Sequence, residues 1–168
     1  AGDINGDGLA DLIIGASSSS PAAGNLAGRS YVVFGKTSGT AINLSNVIAG
    51  NGGFVINGQA ASDHCGYSVS AAGDVNGDGL ADLMVGAASS ASSSGTVSVG
   101  RSYVVFGTTS SSRIELSTVA AGSGGFAISG QDWFDKSGHS VSSAGDVNGD
   151  GLADLIVGAA NRENGSGA

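Results

Sequence analysis

The chain has 168 residues, with 14 acidic against 6 basic side chains for a formal net charge of −8, and it carries 31 Gly. An acid excess of that size excludes a basic surface for nucleic acid or an anionic membrane. The single cysteine, Cys65, excludes an intrachain disulfide and leaves the redox compartment open.

Taken in chain order, the first element is the phrase Gly2-Asp-Ile-Asn-Gly-Asp-Gly-Leu-Ala-Asp-Leu-Ile-Ile-Gly-Ala16. Arg29–Gly35 and Gly53–Gln59 follow, β-branched and aromatic and bounded by Gly, which predicts strands. In Gly66–Ala72, Tyr67, Val69 and Ala71 alternate with Ser, the pattern of a strand with one buried face. Gly73 opens a near-copy of the first phrase, and its Asp82–Ala88 run is continuously apolar, as for a strand buried on both faces. The Ser-rich stretches 17–20, 89–95 and 108–112 read as loops. Arg101–Gly107 repeats Arg29–Gly35, and Leu116–Gly122 supports at most one helical turn. Gly125–Gly130 is again a strand, Gly138-His-Ser-Val-Ser echoes Gly66-Tyr-Ser-Val-Ser, and Gly145 opens a third copy of the Asp-rich phrase. No segment keeps a helical period over ten residues or approaches the length of a transmembrane helix.

The copies stand 71 and 72 residues apart, a period that marks a repeat architecture. Four strands per period predict an all-β protein of tandem antiparallel blades, as in a β-propeller or an open β-array. Counting strands gives one complete blade and two partial ones, with a closed ring and an open array both compatible. The repeats divide as 1–71 (without its first strand), 72–143 and 144–168. Because Ala1-Gly2-Asp3 falls inside the motif, the sequence reads as a segment of a longer array.

Nine of the twelve Asp lie in 3–11, 74–82 and 146–154. In Asp74-Val-Asn76-Gly-Asp78-Gly79-Leu80-Ala-Asp82, side-chain oxygens stand at loop positions 1, 3, 5 and 9, with a carbonyl available at 7. Calcium takes six to eight hard oxygen ligands at ~2.3–2.6 Å, and three carboxylates this close repel one another unless a cation sits between them. No sulfur or imidazole lies in any loop, which argues against zinc. Ile14, Val85 and Val157 stand where an EF-hand has its twelfth-position Glu, and the flanks are strand-like, so an EF-hand is ruled out. A plain Asx-turn hairpin is the bland alternative. It needs two such residues, not four oxygens at odd spacing three times over.

The phrase Gly73-Asp-Val-Asn-Gly-Asp-Gly-Leu-Ala-Asp-Leu-Met-Val-Gly-Ala87 resembles the FG-GAP repeat of integrin α-subunit β-propellers and their bacterial extracellular relatives. The resemblance implies one calcium ion per loop, about three per chain, in a hairpin between the first and second strands of each blade. The ligands it implies are Asp3, Asn5, Asp7, Leu9 (carbonyl) and Asp11; Asp74, Asn76, Asp78, Leu80 and Asp82; and Asp146, Asn148, Asp150, Leu152 and Asp154. It further implies an extracellular or cell-surface location, of bacterial type given the near-identity of the copies. Cys65 and Ser137 replace the family's Phe at the head of the first strand, and Ser17, Ala88 and Ala160 replace its Pro.

Other residues carry blander readings. His64 and His139 occupy different repeat positions and fit rim histidines, not a catalytic pair. Cys65 fits a small buried filler. Asp63 and Asp135 recur and fit a turn. Trp133 and Phe134 belong to one repeat, with local packing favoured over an exposed aromatic contact. Asn43-Leu-Ser45 and Asn164-Gly-Ser166 match the glycosylation pattern. The expected function is non-enzymatic: a calcium-stabilised extracellular structural or adhesive module, possible building unit of a surface fibre. Its partners are further copies of the repeat, with glycans or surface proteins beyond them. A carbohydrate-binding propeller and the non-catalytic propeller of a secreted enzyme are the alternatives.

Overall fold

The computed structural model describes residues 1–90 and 98–160. Its strands in chain order begin with β1 (Leu12–Ala16), β2 (Arg29–Val33) and β3 (Gly53–Asn57), with one helical turn, α1 (Leu44–Ile48), between the last two. Then come β4 (Ser68–Gly73), β5 (Asp82–Ala87), β6 (Arg101–Val105), the two-residue β7 (Ile114–Glu115), the turn α2 (Leu116–Ala120) and β8 (Gly125–Ser129). β9 (Ser137–Gly145) and β10 (Asp154–Ala159) close the described chain.

These strands form three sheets, one per repeat. The central sheet has the order β4-β5-β6-β8, all antiparallel, with Leu83 opposite Val105 and Tyr103 opposite Ala127. It is the complete blade. The first sheet holds β1-β2-β3 in the same order and the third holds β9 and β10, so the blades on either side are partial. α1 is capped at Asn43, whose side chain accepts from the Ser45 amide.

Two features depart from the sequence reading. The fourth place in the first sheet is taken by β7, which reaches across from the second repeat and runs parallel to β3, Ile56 beside Ile114 and Asn57 beside Glu115. The pairing is reinforced where Asn57 Nδ2 donates to Glu115 Oε1 at 2.9 Å. In β4, Tyr67 precedes the strand and is 54% exposed, and the fully buried residue is Ala72. The Tyr67 ring instead leans on His139, its counterpart one repeat on, with ring centroids 5.2 Å apart.

The main core lies between the first and central sheets. Ile13, Val32, Phe54 and Ile56 on one side meet Leu83, Val85, Tyr103 and Val105 on the other, and Leu116 and Val119 of α2 belong to the same cluster. Burying such side chains contributes about 1.5–3 kcal/mol each. The sheets approach closely where the chain crosses between blades. A Cβ on Gly28 would lie 2.1 Å from the Cys65 carbonyl oxygen, and one on Gly100 2.3 Å from the Ser137 nitrogen. Both glycines have positive φ (82° and 74°), so no other residue fits there without strain. The small Cys65 and Ser137 belong to the same crossing, each amide donating to the carbonyl of Ala27 or Val99.

Candidate metal centre

The three Asp-rich loops fold alike. Two of them connect the first and second strands of their sheets, β4 to β5 and β9 to β10, and the other leads into β1 through a bridge between Gly2 and Asp11. In the first, Asp3 Oδ1 accepts from the Gly6 and Asp7 amides at 2.7 and 3.1 Å, and Oδ2 accepts from Gly8 at 2.8 Å. Asn5 Oδ1 accepts from the Asp7 amide, Asp7 Oδ1 from that of Leu9, and Asn5 Nδ2 donates to Asp7 Oδ2. Asp74, Asn76 and Asp78 repeat this set, as do Asp146, Asn148 and Asp150. Gly6 and Gly8, both at positive φ, give the chain its curl.

The position-9 aspartates behave differently. Asp11 and Asp82 are buried, 1% and 0% exposed. Asp11 Oδ2 accepts from the Ile4 amide at 2.8 Å and Oδ1 from that of Gly35 at 2.7 Å; Asp82 is held likewise by Val75 and Gly107, both at 2.8 Å. Asp154 keeps the corresponding bond from Val147 at 2.7 Å and is half-buried. The structure thus brings positions 1, 3 and 5 together at the rim and sets position 9 behind them, anchored to the end of the third strand. Leu9, Leu80 and Leu152 sit at position 7, Leu80 and Leu152 each laid over the preceding loop.

Electrostatics follow from this layout. Burial raises the Asp82 carboxyl above its ordinary range; the Gly107 and Val75 amides oppose the shift, while the charges of Asp78 and Asp74 add to it. The Asp146 carboxyl is lowered, chiefly by the Gly151 amide and further by those of Gly149 and Asp150. Among the described residues no three carboxylate, imidazole or thiol groups converge on one point. The donor chemistry nevertheless fits a hard cation. Each loop offers three carboxylates, one amide oxygen and a carbonyl; a carboxylate oxygen has two lone pairs, so each one that accepts a single N–H stays able to ligate, whereas the position-1 Oδ1, which accepts two, leaves that role to Oδ2.

The loops are also joined to one another. The Ala81 amide donates to the Asp3 carbonyl at 3.0 Å, and the Ala153 amide to the Asp74 carbonyl at 3.0 Å. The space beside Gly6 is filled by Leu80 Cδ2, and that beside Gly77 by Leu152 Cδ2, 3.1 and 3.2 Å from where a Cβ would stand. Sequence reasoning missed these contacts and the Gly35 and Gly107 anchors. The constancy of Leu and Ala at positions 7 and 8 was the available signal for the loop contacts.

The remaining candidates fall into place. Asp63 Oδ2 accepts from the Ala60 amide and Asp135 Oδ2 from Gln131 and Asp132, as turn-formers do. Cys65 is fully buried, and burial, aided by the Asp63 charge, drives its thiol pKa far upward. His64 is half-buried and His139 exposed. Trp133 is 68% exposed, which corrects the packing expectation for it: the 130–136 turn projects it outward. Asn164 lies outside the described residues.

A sheet of four antiparallel strands with an Asp-rich hairpin between its first and second strands, flanked by partial copies of the same unit, defines a propeller-type β-repeat protein. The FG-GAP repeat model matches residues 1–33, 66–105 and 137–168, more than half the chain, and the chain belongs to that family. It is also similar to phosphatidylinositol-glycan-specific phospholipase D of Bos taurus, 36% identical over 157 residues. That match covers 93% of this chain and 17% of the bovine protein, so the chain spans about a sixth of that relative's length. No helix among the described residues is long and apolar enough to cross a membrane.

Proposed function

We propose that the chain is a calcium-stabilised extracellular structural or adhesive module, without catalytic activity of its own. Each loop holds one calcium ion through the side chains at positions 1, 3, 5 and 9 and the leucine carbonyl at 7. The observation that carries this reading is the threefold recurrence of one hydrogen-bonded loop, in which the same Asp, Asn and Asp oxygens at positions 1, 3 and 5 are held by main-chain amides at the rim, with the position-9 Asp behind them. Bound calcium relieves the repulsion among those carboxylates, and three such ions would bring the net charge from −8 to −2. Further copies of the same repeat are its natural partners, since each sheet buries its apolar face only against another.

Calorimetry tests this directly. About three calcium ions should bind per chain, with dissociation constants of roughly 10⁻⁴–10⁻³ M, as in extracellular modules. At a hundredfold excess each site adds about 2.7 kcal/mol of stability. Asp78→Ala should remove one ion and leave two. An absence of heat on titration, together with an unchanged melting temperature in chelator, would refute the reading. A second reading, the accessory propeller of an enzyme, is favoured by the likeness to a protein named as a phospholipase D. Under it the chain alone should show no phospholipase activity, and calcium binding would be retained.

A further inference from the structure

Six Asn residues precede a Gly in this chain: Asn5, Asn51, Asn57, Asn76, Asn148 and Asn164, the last outside the described residues. In such a pair the Gly main-chain nitrogen can attack the Asn side-chain carboxamide, because no Gly side chain shields it. Two things prevent the attack. One is a hydrogen bond that ties up the Gly N–H; the other is a set of bonds that holds the carboxamide elsewhere.

Four of the five described pairs are held in both ways. Gly6, Gly77 and Gly149 each donate to the position-1 carboxylate of their loop at 2.7 Å. Asn5, Asn76 and Asn148 each accept from the amide two residues on and donate to that residue's carboxylate. Asn57 is buried; its Oδ1 accepts from Arg29 Nε, its Nδ2 donates to Glu115 Oε1, and the Gly58 amide donates to the Gly28 carbonyl at 3.0 Å. Asn51 is the exception. Neither its side chain nor the Gly52 N–H makes a hydrogen bond among the described residues. Both residues are exposed, and a Cβ on Gly52 would meet nothing within 4 Å. The equivalent Ser123 and Gly124 are exposed too. Asn51 has the following repeat beside it and Ser123 the preceding one, so the position faces water with either neighbour in place.

We propose that Asn51-Gly52 is a site of spontaneous covalent modification, the described Asn-Gly pair that deamidates while the chain stays folded. The Gly52 nitrogen gives up its proton and bonds to Asn51 Cγ; the Cγ–Nδ2 bond breaks, and Nδ2 takes a proton and leaves as ammonia. Water then opens the five-membered imide at one carbonyl or the other, giving aspartate or isoaspartate. Each conversion adds one negative charge, taking the formal net charge from −8 to −9. The isoaspartyl product also lengthens the main chain at a junction. There the Asn51 amide donates to the Asn46 carbonyl of α1, and the Gly52 carbonyl accepts from the Phe34 amide just after β2. With Ser123 in the equivalent place, the second repeat has no such site. The inference stands apart from the calcium reading and does not depend on it.

Peptide mass mapping of the 168-residue chain, incubated folded in calcium at mildly alkaline pH, is the test, with isoaspartate counted by an isoaspartyl methyltransferase. A held pair must first open locally, so Asn51 should convert about tenfold or more faster than Asn5, Asn57, Asn76 and Asn148. In urea the five rates should converge, since every pair then has the same Gly neighbour and no fold around it. Asn51→Gln should remove the early isoaspartate signal, and Ser123→Asn should create a second site as fast as the first. Similar rates at all five pairs in the folded chain, or a loop Asn or Asn57 converting first, would overturn the proposal. So would rates that stay apart in urea, or a Ser123→Asn chain whose new pair keeps its amide.

Discussion

The first and central sheets are built from nearly the same residues and differ in what lies beside them. In β5, Leu83 and Val85 are 1% and 0% exposed; in β1 their counterparts Leu12 and Ile14 are 60% and 40% exposed. Phe54 and Phe126, also counterparts, stand at 1% and 37%. The difference teaches that burial in this molecule belongs to the joint between blades, and that one strand sequence serves as core or as surface according to its neighbours. The edge strands tell the same story. β3 is covered on its outer side by β7, whereas β8, which ends the central sheet, has no strand beyond it among the described residues.

Paired substitutions break the comparison or sharpen it. The largest contrast should come from Val85→Asp against Ile14→Asp. A carboxylate at the buried position has no partner and should cost more than about 4 kcal/mol, enough to unfold a marginal domain. At the open position of a single copy it should cost about 1 kcal/mol or less. Urea titration of both variants reads the difference, and equal costs would mean that burial is not set by the neighbouring sheet. Phe54→Ala should follow at about 3–5 kcal/mol, with Phe126→Ala near 1 kcal/mol because its ring already meets water.

A smaller effect separates the two crossings at Cys65 and Ser137. The Cys65 thiol is raised by burial first and by Asp63 second. Below about pH 8.5, the thiol's ordinary pKa, both folded and unfolded forms keep the proton and the contribution is whole. Above it the unfolded chain ionises first, so stability falls as pH rises, by up to about 1.4 kcal/mol per unit. Tyr103, raised by burial, adds a loss of the same sign from about pH 10. Cys65→Ser should delay the decline to the tyrosine range. Stability measured from pH 7 to 11 in both chains checks this, and an identical profile would place the alkaline weakness elsewhere.

The strands and the hairpin loops were legible because both signals are local and recur. Val, Ile and Tyr between glycines mark the strands, and oxygen residues at alternate positions mark the loops. The count of one whole blade and two partial ones followed from the order of those strands alone. What escaped was set by distant partners. Asp82–Ala88 reads as buried on both faces and is, while the equally apolar Leu12–Ala16 is half open because no sheet among the described residues covers its outer face. β7 is only two residues long and pairs with a strand 58 positions away in sequence, so nothing in its own composition announces it. The anchoring of Asp11 by Gly35 escaped for a related reason: the donor is a main-chain amide, which leaves no mark on the sequence.

That silence has an evolutionary side. The bond from Ala81 to Asp3, like that from Ala153 to Asp74, is made between main-chain groups, and its only demand on side chains is that they be small where Ala81 faces Gly2. A coding segment of one period, duplicated in place, therefore arrives with both halves of its junction intact and needs no compensating mutation in the copy before or after it. Gene-level lengthening and shortening of such a protein are then close to neutral at the junctions, while the Ser-rich connections between strands diverge freely.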